Sequence, residues 1–321
     1  VYDRRRACPE LGKVGLNDAQ GRLLVHEEHL RRIGMEVISR RQFFSKSAVG
    51  ITYAGYLASI VSKLRANPLG MPIGFQSWSV QKLLQQDFDG TLKEMAQSGF
   101  QSMELCSPPS YRQFGFGGLV NLKGSELREK INGTGLKCES CHYQWGELKA
   151  SLDERIEYAK DLGLKQMILS TFGLPARATL DDWKRNADEL NKMGEKAHAA
   201  GIQLGFHNHD FEFKKIDGRL IYDELLSVFD PKLIKLQFQV AVISLGYEAD
   251  KYFTEYPGRF VSLHLVDWSP ADKKQVPVGQ GAIDMKKLFA AAKVGGIQNY
   301  FLEMPLDLMK PSVPYLRALK V

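Results

Sequence analysis

Four polar side chains in the C-terminal half of the chain have the chemistry of a divalent-metal site: His207, Gln239, His264 and Glu303. Two imidazoles, an amide oxygen and a carboxylate suit a borderline ion such as Mn²⁺, Co²⁺ or Zn²⁺, which accepts nitrogen and oxygen donors together. Singly each is ordinary, since a lone histidine late in an apolar run is more often a hydrogen-bonded core residue than a ligand. Their positions set them apart. Each stands late in its own short run of strand-forming residues: IQLGFHNH from Ile202, LIKLQFQV from Leu233, RFVSLHLVDW from Arg259 and NYFLEM from Asn299. Glu104, His142, His209 and Asp267 occupy equivalent places late in a run or just beyond one. Among these, imidazoles titrate near neutral pH, so His142, His207 and His209 are candidate proton carriers beside the carboxylate of Glu303.

The elements that must position these residues repeat one pattern from Pro72 onward: a short β-rich run, a polar loop, an amphipathic helix, often a glycine, then the next run. Four further runs precede those above, IGFQSW from Ile73, FQSMELC from Phe100, KCESCHYQW from Lys137 and QMILSTFG from Gln166, making eight. Segments such as TLKEMAQSG, LREKINGTG and DERIEYAKDLG read as helices, each stopped by a glycine that accepts positive φ. Alternation of this kind means parallel strands with crossover helices. Eight units in about 250 residues fit a closed barrel, whereas an open doubly wound sheet would show a glycine-rich phosphate turn after its first strand, where this chain has SVQKLLQQDFDG. The expected fold is α/β, a single (β/α)₈ TIM barrel over residues 68–321 preceded by an N-terminal leader. Strands five to eight of such a barrel stand side by side, and its chemistry sits at the strands' C-terminal ends, so His207, Gln239, His264 and Glu303 are expected to converge on one ion.

The segments GFHNHDFEF, YPGRFVSLHLVDW, VPVGQGAIDM and NYFLEM resemble the sugar phosphate isomerase/epimerase family, the xylose isomerase-like TIM barrels, over roughly residues 70 to 321. The resemblance implies one divalent metal held by a Glu, an Asp, a His and a Glu from strands five to eight. His264 matches the family's strand-seven histidine and Glu303 its strand-eight glutamate. His207 and Gln239 depart, standing where the strand-five Glu and strand-six Asp are expected, and Val266 stands where a basic residue is common. The implied reaction runs on a sugar or keto-sugar: the metal chelates two neighbouring oxygens, stabilises an enediolate, and a base moves the proton. Family epimerases use two glutamates on opposite faces of the carbon, and only Glu303 of that pair is retained. That loss makes room for a lyase or hydratase acting on a 3-keto-glycoside, and the altered ligands also suit a non-catalytic sugar-binding barrel. The expected catalytic residues are Glu303, His142 and His209; Glu104 and Asp267 are expected to bind sugar hydroxyls. Trp268, with Trp78 and Trp145, would stack on a pyranose face or pack the rim. The VPVGQG loop is expected to lend backbone flexibility near the site through Gly279 and Gly281.

Charge narrows the partners. The net charge of +6 lies wholly in residues 1–70, which hold 12 Lys+Arg against 6 Asp+Glu and leave 31 of each for the remainder. A neutral barrel argues against nucleic acid, and with it against the apurinic endonuclease branch of the same superfamily, which needs a multi-zinc cluster and a basic face. Four cysteines are too few for a disulfide framework, and Cys138 and Cys141, a CxxC inside a strand-like run, read as two buried thiols. The leader supplies the other partner. Ser39–Phe44 reads SRRQFF, and with Arg40, Arg41 and the moderately apolar stretch from Ala48 to Val61 it resembles a twin-arginine export signal. About 14 apolar-leaning residues are too few to span a bilayer of roughly 30 Å, so membrane contact is expected only through an uncleaved leader. The expected location is periplasmic or secreted, with the twin-arginine export machinery as partner. Residues 1–34 read as an upstream extension before Met35, residues 35–67 as the signal segment, and the mature domain as beginning near Pro68.

Overall fold

The computed structural model describes residues 70–321. Cys8, Arg40, Arg41 and the whole export segment lie outside the described residues. The eight expected runs form β1 (Ile73–Gln76), β2 (Ser102–Cys106), β3 (Lys137–Gln144), β4 (Gln166–Thr171), β5 (Gln203–His207), β8 (Ile234–Gln239), β9 (Phe260–Leu265) and β12 (Asn299–Leu302). They close into one barrel in the order β1-β12-β9-β8-β5-β4-β3-β2, every pair parallel. The ring shuts between the first and last strands, where Phe75 pairs with Leu302. Two short antiparallel hairpins are added in loops at the strands' C-terminal ends: β6 with β7 (Lys215–Ile216, Arg219–Leu220) and β10 with β11 (Asp267–Ser269, Lys274–Val276).

The glycine stops fall where expected. The helices Phe88–Ser98 and Trp145–Leu162 end on Gly99 and Gly163, at φ 101° and 88°. Outward-facing strand residues such as Phe75, Met103, Leu105, Leu169, Phe206, Leu236, Phe238, Leu263 and Leu302 are fully buried in an apolar jacket under the helices. The residues between them point into the lumen, and many are polar: Gln76, Ser102, Glu104, Ser140, His142, Gln237, Ser262 and His264 are all buried. Such lumens are more often filled by branched apolar side chains. At the floor Gly74 is required by close approach, because a Cβ there would lie 2.5 Å from the Phe301 ring and 2.6 Å from the Tyr300 carbonyl oxygen. Register shifts between Met103 and Glu104, Tyr143 and Gln144, and Leu236 and Gln237 adjoin the polar lumen, the places where a bulge re-aims side chains. Cys106, Cys138 and Cys141 are free, buried thiols.

Candidate active site

The lumen is organised by one carboxylate. Glu104 Oε1 accepts hydrogen bonds from Ser140 Oγ (2.6 Å) and Gln237 Nε2 (2.7 Å), and Oε2 accepts from Gln76 Nε2 (2.6 Å) and His264 Nε2 (2.6 Å). Since β2 is not a neighbour of β8 or β9, the bonds to Gln237 and His264 cross the barrel. His142 Nε2 lies 2.5 Å from Gln237 Oε1 and 3.2 Å from Glu104 Oε2, and Gln237 also donates to Ser262 Oγ at 2.8 Å. Burial opposes the charge on Glu104, but the imidazoles of His142 and His264 outweigh it and hold the carboxyl below its ordinary range. The expectation that Glu104 meets sugar hydroxyls is corrected here: it is fully buried and all its lone pairs are engaged by the fold.

Above this floor the C-terminal ends of the strands bring His207, Gln239, His264 and Glu303 close together. His264 Nδ1 and Glu303 Oε2 are 2.8 Å apart, Gln239 Nε2 donates to the same Glu303 oxygen at 2.5 Å, and the His207 ring lies 4.5 Å from the His264 ring. His142 joins them from β3, stacked on His264 at 5.1 Å, so that His142, His207 and His264 offer ring nitrogens all within 4.8 Å of one another. Gln239 takes a different place from the one expected: its amide nitrogen steadies Glu303 and its oxygen accepts the Ala241 N–H at 3.2 Å. Burial works against the charge on His264, yet Glu303 and Glu104, one at each ring nitrogen, raise its pKa to about 10. Burial likewise opposes ionisation of Glu303, but the His264 charge and hydrogen bond bring it down to about 2.

These residues fit a divalent ion. His207 Nδ1 is buried with no hydrogen-bond partner, a nitrogen that an ion would satisfy. Each of His142, His207 and His264 can offer one ring nitrogen to a shared ion. The Glu104 bond to His264 Nε2 is the outer contact that fixes a ligating ring, leaving Nδ1 to bind once it gives up its proton.

These groups line a cavity of about 220 Å³ bounded by Trp78, Tyr111, His142, His207, His209 and Glu303. Both hydrogen bonds of the Glu303 carboxylate fall on Oε2, leaving Oε1 for a ligand. His209 stacks on Phe211 at 5.0 Å, and burial lowers its pKa to about 4, so the ring is neutral at pH 7. The backbone N–H of His209 donates to Glu212 Oε2 at 2.7 Å, and Asn208 Oδ1 accepts the Gln239 N–H at 3.0 Å; together they fix the loop that presents the ring.

Asp267 does not reach this cavity. Its carboxylate accepts the N–H groups of Trp268, Gly279, Gly281 and Ile283, so the expected sugar binder is instead the post that ties down the VPVGQG loop. The flexibility expected of that loop is corrected by the same bonds. Trp268 is half-buried on the β10–β11 hairpin, outside the cavity lining, and Trp145 packs edge-on against Phe172 at 5.0 Å. Of the three tryptophans, Trp78 alone lines the cavity. Sequence reasoning missed Gln76, Ser140, Gln237 and Ser262. The available signal was polar residues recurring every second position in otherwise apolar strands, as in Gln237 and Gln239 or Ser262 and His264.

Comparison with known proteins agrees with this architecture. The profile of the family described as xylose isomerase-like TIM barrel matches residues 92–318. The chain belongs to that family. A protein named inosose dehydratase from Lacticaseibacillus casei is 22% identical over 289 residues, covering 78% of this chain and 92% of that one. Among solved structures, a sugar phosphate isomerase/epimerase from Parabacteroides distasonis superposes with a TM-score of 0.64 at 24% identity, over 77% of this chain and 94% of the other. An IolI protein described with a bound zinc atom superposes with a TM-score of 0.54 at 15% identity, over 77% of this chain and 94% of its own. Proteins similar to this chain thus carry the names sugar phosphate isomerase/epimerase and inosose dehydratase, and its own cluster of three buried imidazoles is consistent with a divalent metal.

Proposed function

We propose that this protein is a divalent-metal-dependent lyase of the dehydratase type, which acts on a sugar or cyclic polyol bearing a ketone and expels an oxygen substituent β to it. The carrying observation is that the cavity presents one carboxylate, Glu303, beside the imidazoles of His142, His207 and His209. His209, neutral at pH 7, can take a proton and, once charged, is an acid able to give it back, while Glu303 Oε1 is left to bind the substrate. His142, His207 and His264 would hold the ion, and when bound it supplies the Lewis acid that stabilises negative charge on the carbonyl oxygen; Mn²⁺, Co²⁺ and Zn²⁺ all suit these donors.

In the proposed reaction Glu303 Oε1 accepts a substrate hydroxyl and orients the ring. His209 Nε2, which makes no hydrogen bond within the fold, takes the proton from the carbon next to the ketone. The electron pair left behind forms the new C=C bond as the β C–O bond breaks. The departing oxygen then receives the proton from His209, which returns to its neutral form. Trp78 and Tyr111 form part of the cavity wall. Relatives named inosose dehydratase support this reading.

Isomerisation or epimerisation through the same enolised carbon is the second reading, supported by solved structures of that name. Incubation of the metal-loaded protein with cyclic keto-polyols and ketoses in D₂O separates the two. A lyase yields an ultraviolet-absorbing enone with loss of water; an isomerase yields a sugar of unchanged mass apart from deuterium at the α-carbon. Chelation should abolish either activity and added Mn²⁺, Co²⁺ or Zn²⁺ restore it. Neither product, with metal bound, would leave the sugar-binding barrel as the surviving account. Export is part of the proposal and rests on Arg40 and Arg41 in the sequence; exchanging both for Lys should retain the protein in the cytoplasm, as cell fractionation would report.

A further inference from the structure

We infer that the protein carries a second small-molecule site, outside the barrel mouth, which takes a neutral polyhydroxyl compound. It is a cavity of about 410 Å³ between the helix Trp145–Leu162 and the loop that follows β2. It shares no lining residue with the catalytic cavity, and it does not depend on the lyase reading above. Its size lies within the range of about 300–1,000 Å³ usual for small-molecule sites. One wall is a stripe of the helix: Glu147, Ser151, Glu154, Arg155 and Tyr158 recur at the spacing that puts side chains on one face. The facing wall comes from residues 107–123, which join β2 to the next long helix and supply Pro108, Pro109, Asn121 and Lys123. A connection far longer than the usual βα loop of about 2–6 residues is commonly a binding loop.

Arg155 is the residue that points to a ligand. It is 8% exposed, yet its guanidinium, a fork of several N–H donors, makes a single hydrogen bond, from Nη2 to Glu154. Its Nε is buried without a partner, and Nη1 lies 3.7 Å from Glu147 Oε1, beyond hydrogen-bond reach. The Glu147 oxygens are taken instead by the hydroxyls of Ser107, at 2.7 Å, and Ser110, at 2.5 Å. The Tyr158 ring, 5.5 Å from the guanidinium carbon, holds the group in place. A buried cation with so few acceptors is costly until oxygens complete its shell, and Arg155 lines the cavity from which they would come.

The charges around the cavity define the ligand's class by cancelling. Arg155 and Lys123 stand against Glu147 and Glu154, so the lining has no net sign with which to select a free anion or cation. An inorganic phosphate would meet both cations but also both carboxylates. What the lining does offer is donors and acceptors side by side, from Arg155, Lys123, Glu154, Asn121 and Ser151. Hydroxyls on neighbouring carbons answer such a surface, because each donates and accepts at once. Pro108, Pro109 and Tyr158 add apolar surface for the C–H face of the same molecule.

The test labels the full chain, loaded with Mn²⁺, with fluorotyrosine, so that Tyr158 reports on this cavity and Tyr111 on the catalytic one. Tyr158→Phe and Tyr111→Phe assign the two fluorine lines. Titration with glucose, maltose and sorbitol should move the Tyr158 line saturably for at least one of them, and glycine, acetate and inorganic phosphate should bind more weakly. Arg155→Met should raise the Kd read from that line at least tenfold. Because Arg155 is buried, Asn121→Ala combined with Lys123→Ala, both exposed, gives a second reading, expected to raise the Kd at least threefold. No saturable movement of the Tyr158 line, movement of the Tyr111 line alone, or a Kd unchanged in both variants would overturn the second site. Tighter binding of glycine, acetate or phosphate than of every polyhydroxyl probe would overturn the ligand class. None of these results bears on the lyase reading, which stands or falls on turnover at the metal.

Discussion

The two faces of the barrel wall solve opposite problems. Outward-facing strand residues meet the helices through an aromatic and aliphatic jacket, where contacts such as Phe253 with Phe260 (4.8 Å) and Phe289 with Tyr300 (5.2 Å) are undirected and tolerate exchange at constant volume. Inward-facing residues converge on Glu104, where each bond has a direction and a partner. The jacket therefore carries stability in small increments. The lumen carries orientation, and it fails as a unit because a half-satisfied buried network costs more than none.

The largest test of this contrast is Glu104→Ala. It strands His264, Gln76 and Gln237 at once, and stability in denaturant should fall by about 3–5 kcal/mol with turnover lost in whatever remains folded. Phe289→Ala in the jacket should cost a comparable or slightly smaller amount, about 3–4 kcal/mol, while turnover per folded molecule stays near the parent's. If Phe289→Ala abolished turnover at full folding, the division of labour between the two faces would be wrong. His209→Gln should lower kcat by about 100-fold, near 2.7 kcal/mol, with little change in melting, because the ring is a proton carrier rather than a network member. A fall in melting temperature as large as that of Glu104→Ala would move it into the network.

The most gradual effect, spread over several pH units, concerns Glu212, whose burial raises its carboxyl to about 8. The unfolded chain gives up this proton near the ordinary carboxyl value of 4.5 and the folded chain keeps it to about 8. Its contribution is therefore full below the lower value and is lost as pH rises through the upper. Parent stability should decline across that window relative to Glu212→Gln, by at most about 1.4 kcal/mol per pH unit. Parallel stability curves for the two proteins would show that Glu212 ionises normally.

The period of the sequence made the barrel legible, because eight β-rich runs separated by glycine-stopped helices admit few other closures. The convergence of His207, His264 and Glu303 was legible for the same reason: adjacent strands place their C-terminal residues side by side. Long-range partnership was not legible. Nothing in the spelling of β2 says that Glu104 reaches across the lumen to Gln237 and His264, since such contacts depend on strand tilt and on the shifts beside Glu104 and Gln237. Asp267 misled for a related reason. A polar residue one place beyond a strand end can face the substrate or the loop that follows, and here four backbone N–H groups claim it.

That claim has a consequence for affinity. Gln275, on the hairpin that leaves Asp267, forms part of the wall of a cavity of about 630 Å³ beside Trp78 and Glu303, and the Asp267 bonds hold the segment on either side of it in one conformation. A guest entering the cavity finds this wall already built and loses little conformational entropy in ordering it, so more of the contact energy survives as binding.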